Sequence, residues 1–179
     1  MLSEFSCSRP LWSNAFKRDK NLFWLDKNEI TLTESLEFNK YIIKQIEPLN
    51  LAVYPDLGET YKLLKDIFDV EEQNTLLVNG ADGGIRESFL NIYNNHKVFI
   101  LEPTFAMISV YPSNLDLDFE TISYKFKNNQ LTFDFEELLR KVSCSDKAPF
   151  LIIASPDSPT GNVLSIGEFM TLEKIIDEK

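Results

Sequence analysis

Apolar positions change their period several times along the chain. Over Thr33 to Ile46 they recur near every 3.6 residues (Leu36, Tyr41, Ile42, Ile46), which predicts an amphipathic helix ended by Pro48. A loop carrying Tyr54-Pro55-Asp56 follows, and Glu59 to Phe68 reads as a second helix with Leu63, Leu64, Ile67 and Phe68 on one side. From there short apolar runs alternate with helical spacing. Thr75 to Val78, Lys97 to Leu101, the alternating Asp116 to Ser123 and the unbroken Phe150 to Ala154 are predicted strands. Asp82 to Tyr93, Thr104 to Tyr111 (closed by Pro112), Asp134 to Val142 and Ile166 to Ile176 are predicted helices. Strands that are continuous apolar runs, each followed by a helix, predict an α/β fold: a mainly parallel sheet covered on both faces, in three α/β/α layers. The first thirty residues keep no period. Their rings, Trp12, Phe16, Phe23 and Trp24, are expected to dock on other surface, because exposed aromatic area is costly in water.

Composition narrows the function classes. With 179 residues, 44% apolar and 26% charged, the chain is globular rather than disordered. Its 18 Lys+Arg against 28 Asp+Glu give a formal net charge of −10, which argues against a nucleic-acid partner. The apolar runs fall far short of the ~20 residues of a membrane helix. Met1-Leu2-Ser3-Glu4 has no basic stretch leading into an apolar core, so no secretory signal is visible. Cys7 and Cys144 are too few and too far apart for a disulfide framework, and both are read as reduced thiols of a cytoplasmic protein. His96, the one histidine, is read as a loop residue. A single histidine excludes a His-based metal site, a Ser-His-Asp triad and a Cys-His dyad.

Ligands of open parallel sheets bind at the carboxyl ends of the strands, and three segments fall there. Asn79-Gly80-Ala81-Asp82-Gly83-Gly84 runs from a strand into a helix, where small residues and free first-turn amides suit an anion such as phosphate. It has neither the G-x-G-x-x-G spacing nor a P-loop lysine, and a plain helix start capped by Asp82 explains it equally. Glu102-Pro103-Thr104-Phe105 is either a second site segment or an ordinary helix start with Phe105 in the core. Ser155-Pro156-Asp157-Ser158-Pro159-Thr160-Gly161-Asn162 is a rigid turn whose hydroxyls can hold a polar ligand, or a tight loop without one.

In this order and spacing, together with Tyr54-Pro55-Asp56, these segments resemble class I/II aminotransferases, pyridoxal-phosphate (PLP) enzymes of fold type I. Within them the chain is most similar to the histidinol-phosphate aminotransferases. Leu25-Asp26-Lys27-Asn28-Glu29 resembles that family's N-terminal arm, so the likeness runs from about Trp24 to the end. The resemblance implies residues 1–50 as arm and helix, and 51–179 as the N-terminal part of the PLP-binding large domain. It implies that the backbone of Ala81, Asp82 and Gly83 holds the cofactor phosphate, with Gly83 where the family usually has Glu. Phe105 stands for the usual Tyr that stacks on the pyridine ring. Tyr54 reaches the neighbouring subunit's phosphate site in a homodimer. Ser158 stands where the family has an Asn that donates to the cofactor's phenolic oxygen; its side chain is shorter, which alters the cofactor's setting.

The family's Schiff-base Lys, the Asp on the pyridine nitrogen and the carboxylate-binding Arg follow the Pro-Thr-Gly helix, where this chain stops. No catalytic and no metal-binding residue is assigned. Lys174 and Lys179 lie on or at the end of the last helix and are not substitutes. The implied activity is amino-group transfer between an amino-acid-like donor and a 2-oxo acid, by a chain lacking the catalytic half. The alternatives are a non-catalytic truncated remnant or binding module, and a PLP decarboxylase of a phosphorylated amino acid.

Overall fold

The computed structural model describes Asp19 and residues 33–46, 51–92 and 95–179. The expected docking of Trp12, Phe16, Phe23 and Trp24, and the Leu25–Glu29 arm, lie outside the described residues. The chain divides into two compact units, one of residues 11–77 and one that includes residues 78–179.

The first unit holds α1 (Thr33–Gln45) and α2 (Gly58–Phe68), followed by a single 3-10 turn, Glu72–Asn74. Asp56 Oδ1 accepts from the Gly58 amide at 2.9 Å and so helps open α2. Asp69 ends it in the left-handed region (φ 53°), its N–H returning to the Lys65 carbonyl. The predicted apolar side of α2 is present, but Leu63, Ile67 and Phe68 on it are exposed. Thr75 to Val78 is not a strand. Thr75 has extended backbone, yet the segment joins no ladder, and Leu76 and Leu77 are exposed. An apolar run shows that a segment could be buried; a strand also needs a hydrogen-bonding neighbour, which local pattern does not report.

The second unit is built from α3 (Gly80–Leu90), β1 (His96–Glu102), α4 (Ala106–Asn114), β2 (Phe119–Ser123), β3 (Lys125–Lys127), β4 (Gln130–Thr132), α5 (Phe135–Ser143), β5 (Ala148–Ile152) and α6 (Ile166–Asp177). Strands β2, β1 and β5 form a parallel sheet in that order, with Val98 opposite Phe119 on one side and Phe150 on the other. The central strand is buried on both faces. Val98 and Ile100 pack with Phe89 of α3 and Ile108 of α4. Phe99 and Leu101 pack with Ile122, Tyr124, Leu138, Val142 and Leu172, on the side of α5 and α6. Successive side chains of a strand point to opposite faces, so an unbroken run such as Val98 to Leu101 requires helices on both. The three-layer α/β/α arrangement is therefore present.

Several local expectations are corrected. His96 opens β1 and is half-buried rather than in a loop. Helix α4 starts at Ala106, since Thr104 is engaged elsewhere, and it does not stop at Pro112. The proline lies inside its last turn and is buried; it removes one backbone donor, but the helix runs on to Asn114. Strands β3 and β4 form an antiparallel hairpin that apolar periodicity did not predict. Its turn residues Asn128 and Asn129 both have positive φ (51° and 61°), which suits the right-handed twist of a two-residue hairpin turn.

Candidate functional site

Because β1 and β5 are parallel neighbours, the segments leaving their carboxyl ends emerge at one edge of the sheet. From β1 comes Glu102-Pro103-Thr104-Phe105, and from β5 comes the turn Ser155 to Asn162. The Glu102–Pro103, Ser155–Pro156 and Ser158–Pro159 bonds are all cis. Phe105 occupies the N-cap position of α4 with extended ψ (121°), and its ring is 40% exposed. The core reading of Phe105 is therefore set aside. Ser158 is also exposed.

One buried carboxylate joins the two segments. Among the described residues Asp157, 5% exposed, is the one buried residue with a charged side chain. Thr104 Oγ1 donates to Asp157 Oδ1 at 2.6 Å, and Thr160 Oγ1 donates to Asp157 Oδ2 at 2.8 Å. The Asp157 backbone closes the turn as well, with its N–H on the Asn162 carbonyl (2.8 Å) and its carbonyl accepting from the Gly161 N–H (2.7 Å). Gly161 adopts φ +71°, which favours glycine there. A buried carboxylate is tolerable only when its oxygens are hydrogen-bonded, and here hydroxyls from two separate segments do this.

Tyr124 completes the cluster. Its phenol bonds with Thr160 and lies near Asp157, while its N–H docks on the Glu102 carbonyl at 2.8 Å. Burial pushes the Tyr124 phenol above its ordinary value. The bond to Thr160 pulls it back, and the Asp157 charge adds to the rise. Asn162 Nδ2 donates to the Leu131 carbonyl at 2.7 Å, tying the β3–β4 hairpin to the same turn.

The start of α3 is the third part. Gly80 takes φ +69°, a conformation that favours glycine, and Asn79 at the N-cap makes no side-chain bond to the first turn. Asp82 does not cap α3; it lies inside the first turn, where its Oδ2 accepts from the Tyr111 hydroxyl of α4 at 3.0 Å. Its other oxygen, Oδ1, is buried without a hydrogen-bond partner. Ala81 is exposed and Gly83 half-buried. A Cβ at Gly83 would meet Val78 Cβ at 3.5 Å, an ordinary contact, so glycine is not demanded there by space.

Of the residues singled out in the sequence, the structure links the segments of Phe105 and Ser158 through Asp157, and places Ala81, Asp82 and Gly83 in the first turn of α3. Tyr54 belongs to the unit of residues 11–77 and is 99% exposed. Sequence reasoning passed over Asp157, Thr104, Tyr124 and Tyr111 as contributors. Asp157 between two prolines after a buried strand is the one local signal that could have drawn notice. Tyr124 and Tyr111 have none, since their partners lie 29 residues or more away.

Residues 21–179 match the family described as aminotransferase class I and II. Among curated relatives, the histidinol-phosphate aminotransferase of Francisella philomiragia is 27% identical over 157 residues, which cover 87% of this chain and 39% of that protein. That of Clostridium novyi is 30% identical over 161 residues, covering 83% and 41%. The chain thus spans about two fifths of the length of these relatives. Similar solved structures include cystalysin from Treponema denticola, which contains a pyridoxal 5'-phosphate cofactor (TM-score 0.62, 19% identity, 83% of this chain and 38% of that one). Another is the histidinol-phosphate aminotransferase of Clostridium acetobutylicum (TM-score 0.60, 23% identity, 80% and 39%). At such identities the structural likeness shows the fold; the family match over most of the chain shows more. This chain belongs to the aminotransferase class I and II family.

Proposed function

We propose that the chain forms the phosphate-binding and ring-stacking wall of a PLP-dependent aminotransferase of the histidinol-phosphate type. The whole enzyme would move an amino group between an amino-acid-like donor and a 2-oxo acid. The observation that carries this reading is the sheet edge itself, where an accessible aromatic face is tied to a polar turn by a buried carboxylate. A fold shared by cystalysin and aminotransferases does not choose a reaction. The choice of amino-group transfer comes from the relatives' shared name and from the four sequence segments together.

The residues present fit the cofactor. The first turn of α3 has no side-chain cap, so the amides of Ala81, Asp82 and Gly83 would hold the phosphate with the help of the helix dipole. A backbone site is indifferent to Gly83 replacing a longer residue. The half-exposed Phe105 ring offers a face for the pyridine ring. Ser158 would donate to the phenolic oxygen, with a shorter reach than an amide side chain. In a homodimer, Tyr54 would add its hydroxyl to the partner's phosphate site. PLP, when bound, supplies the electron sink for amino-group transfer, and these residues bind and orient it.

The test is a PLP titration followed by intrinsic fluorescence, with inorganic phosphate as competitor. Saturable binding that phosphate displaces, weakened about fivefold by Phe105→Ala, is the expected result, because an aromatic stacking pair contributes ~1 kcal/mol beyond its buried area. No saturable binding, or displacement that ignores phosphate, would refute the reading. Borohydride reduction and mass spectrometry then read any lysine attachment, which is not expected at Lys174 or Lys179.

A further inference from the structure

The Asp157 cluster does something that the cofactor contacts alone do not require. Thr104 and Thr160 lie 56 positions apart, on segments leaving two different strands, yet both hydroxyls end on one carboxylate. Thr104 immediately precedes Phe105, and Asp157 immediately precedes Ser158. Any shift of one segment relative to the other must lengthen the 2.6 Å bond from Thr104 to Asp157. That bond runs from a hydroxyl donor to a carboxylate oxygen, the short and strong kind. Within the turn, Asp157 is fixed by its own backbone bonds to Gly161 and Asn162. Tyr124 meets Thr160 through its phenol and anchors its own backbone on Glu102, at the end of β1.

We propose that Asp157 is a positioning residue: a latch that holds the Phe105 segment and the Ser158 turn in one fixed relation. The latch is a property of the chain before anything binds. Its consequence for the cofactor rests on the reading under Proposed function, in which Phe105 stacks on the ring and Ser158 meets its oxygen. Asp157 itself touches neither; it acts by setting the two residues that follow the latched positions. A bound ring then finds its stacking face and its hydroxyl already spaced, with less ordering left to binding.

Two measurements on the full chain test this, and the first needs no cofactor. Amide hydrogen exchange of the Ser155–Asn162 turn is compared among wild type, Thr104→Val and Thr104→Ser. Valine keeps the shape of threonine without the hydroxyl, and serine keeps the hydroxyl. With the latch, Thr104→Val speeds exchange at Gly161 and Asn162 about tenfold, the worth of one hydrogen bond to a charged group, and Thr104→Ser stays near wild type. Unchanged exchange in Thr104→Val would overturn the latch, because the turn would then hold its form without the other segment. The second measurement is the induced circular dichroism of PLP at saturating concentration. Thr104→Val is expected to alter the band, and Thr104→Ser to restore it. Identical bands from both variants would overturn the positioning role, since a merely stabilising residue changes affinity and not the orientation of the bound ring. Asp157→Asn, which keeps shape and one acceptor oxygen, should fall between wild type and Asp157→Ala in both measurements. Absence of PLP binding to wild type would remove the cofactor reading, while the exchange measurement would still decide the latch.

Discussion

Tyr124 has two roles that pull its titration in opposite directions. Its ring is one of the buried side chains on the α5–α6 side of the sheet, stacked edge-on against Phe133 with centroids 5.7 Å apart. Its hydroxyl meets Thr160 and lies near the Asp157 charge. Burial dominates and raises the phenol above its ordinary value near 10. The folded state therefore prefers the neutral phenol. The stability this contributes is fully present below about pH 10 and is lost as pH rises from there through the folded value. The expected outcome is a thermal midpoint that falls between pH 9 and 11 in the wild type and falls less steeply in Tyr124→Phe, which has no proton to lose. Equal slopes in the two proteins would show that the phenol is not desolvated. A residue of this kind is invisible to periodicity. Tyr124 follows a strand that alternates, so burial could be guessed, but the Thr160 and Asp157 groups that surround its oxygen come from 36 and 33 positions further on.

Elements were legible where their causes are local. Helix α6 was predicted as Ile166 to Ile176 and runs Ile166–Asp177. Ser165 and Glu168 form a full capping box at its start, so the start signal lies within four residues. Helix α5 was predicted from Asp134, which caps it by accepting from the Glu137 amide at 3.1 Å. The failures are pairings. Thr75 to Val78 reads as a strand and has no ladder, whereas Lys125–Lys127 and Gln130–Thr132 are too short to show a period and pair through their turn. The signal there is Asn128-Asn129, two residues that tolerate positive φ, and it marks the hairpin better than any apolar count. Asn-Gly is the better pair for such a turn, because a non-glycine residue in the left-handed region carries a steric cost even when it is Asn. Asn129→Gly should raise stability by about 0.5 kcal/mol, read as a higher urea midpoint with unchanged slope. A lower midpoint would mean that the Asn129 side chain contributes more than its backbone costs.

At the scale of the whole unit, charge crosses between layers that the apolar core alone would join. Lys97 of β1 pairs with Glu120 Oε2 of β2 at 2.7 Å, and Lys141 of α5 reaches Glu120 Oε1 at 2.8 Å. Glu120 thus receives a cation from the neighbouring strand and another from the covering helix. Its hydrogen bond to Lys141, then that to Lys97, hold its carboxyl below the ordinary value. The same pairing raises Lys97, with its bond to Glu120 the largest cause. Glu120 is about one third exposed, so solvent and salt screen the network and its worth stays on the order of 1 kcal/mol. The sign follows from the depressed carboxyl: the contribution is present above about pH 4.3 and is lost as pH falls through the folded value. Glu120→Gln should therefore lower stability by about 1 kcal/mol at pH 7, and the gap to wild type should narrow as pH falls below about 4.3 and also in 1 M salt. Chemical denaturation of both proteins at pH 7, 5 and 3.5 reads the gap directly. A gap that persists unchanged at pH 3.5 would assign the loss to the hydrogen-bonding pattern of the side chain, where an amide replaces one acceptor oxygen, rather than to its charge, and would leave the apolar contacts of Val98 to Leu101 as what joins the layers.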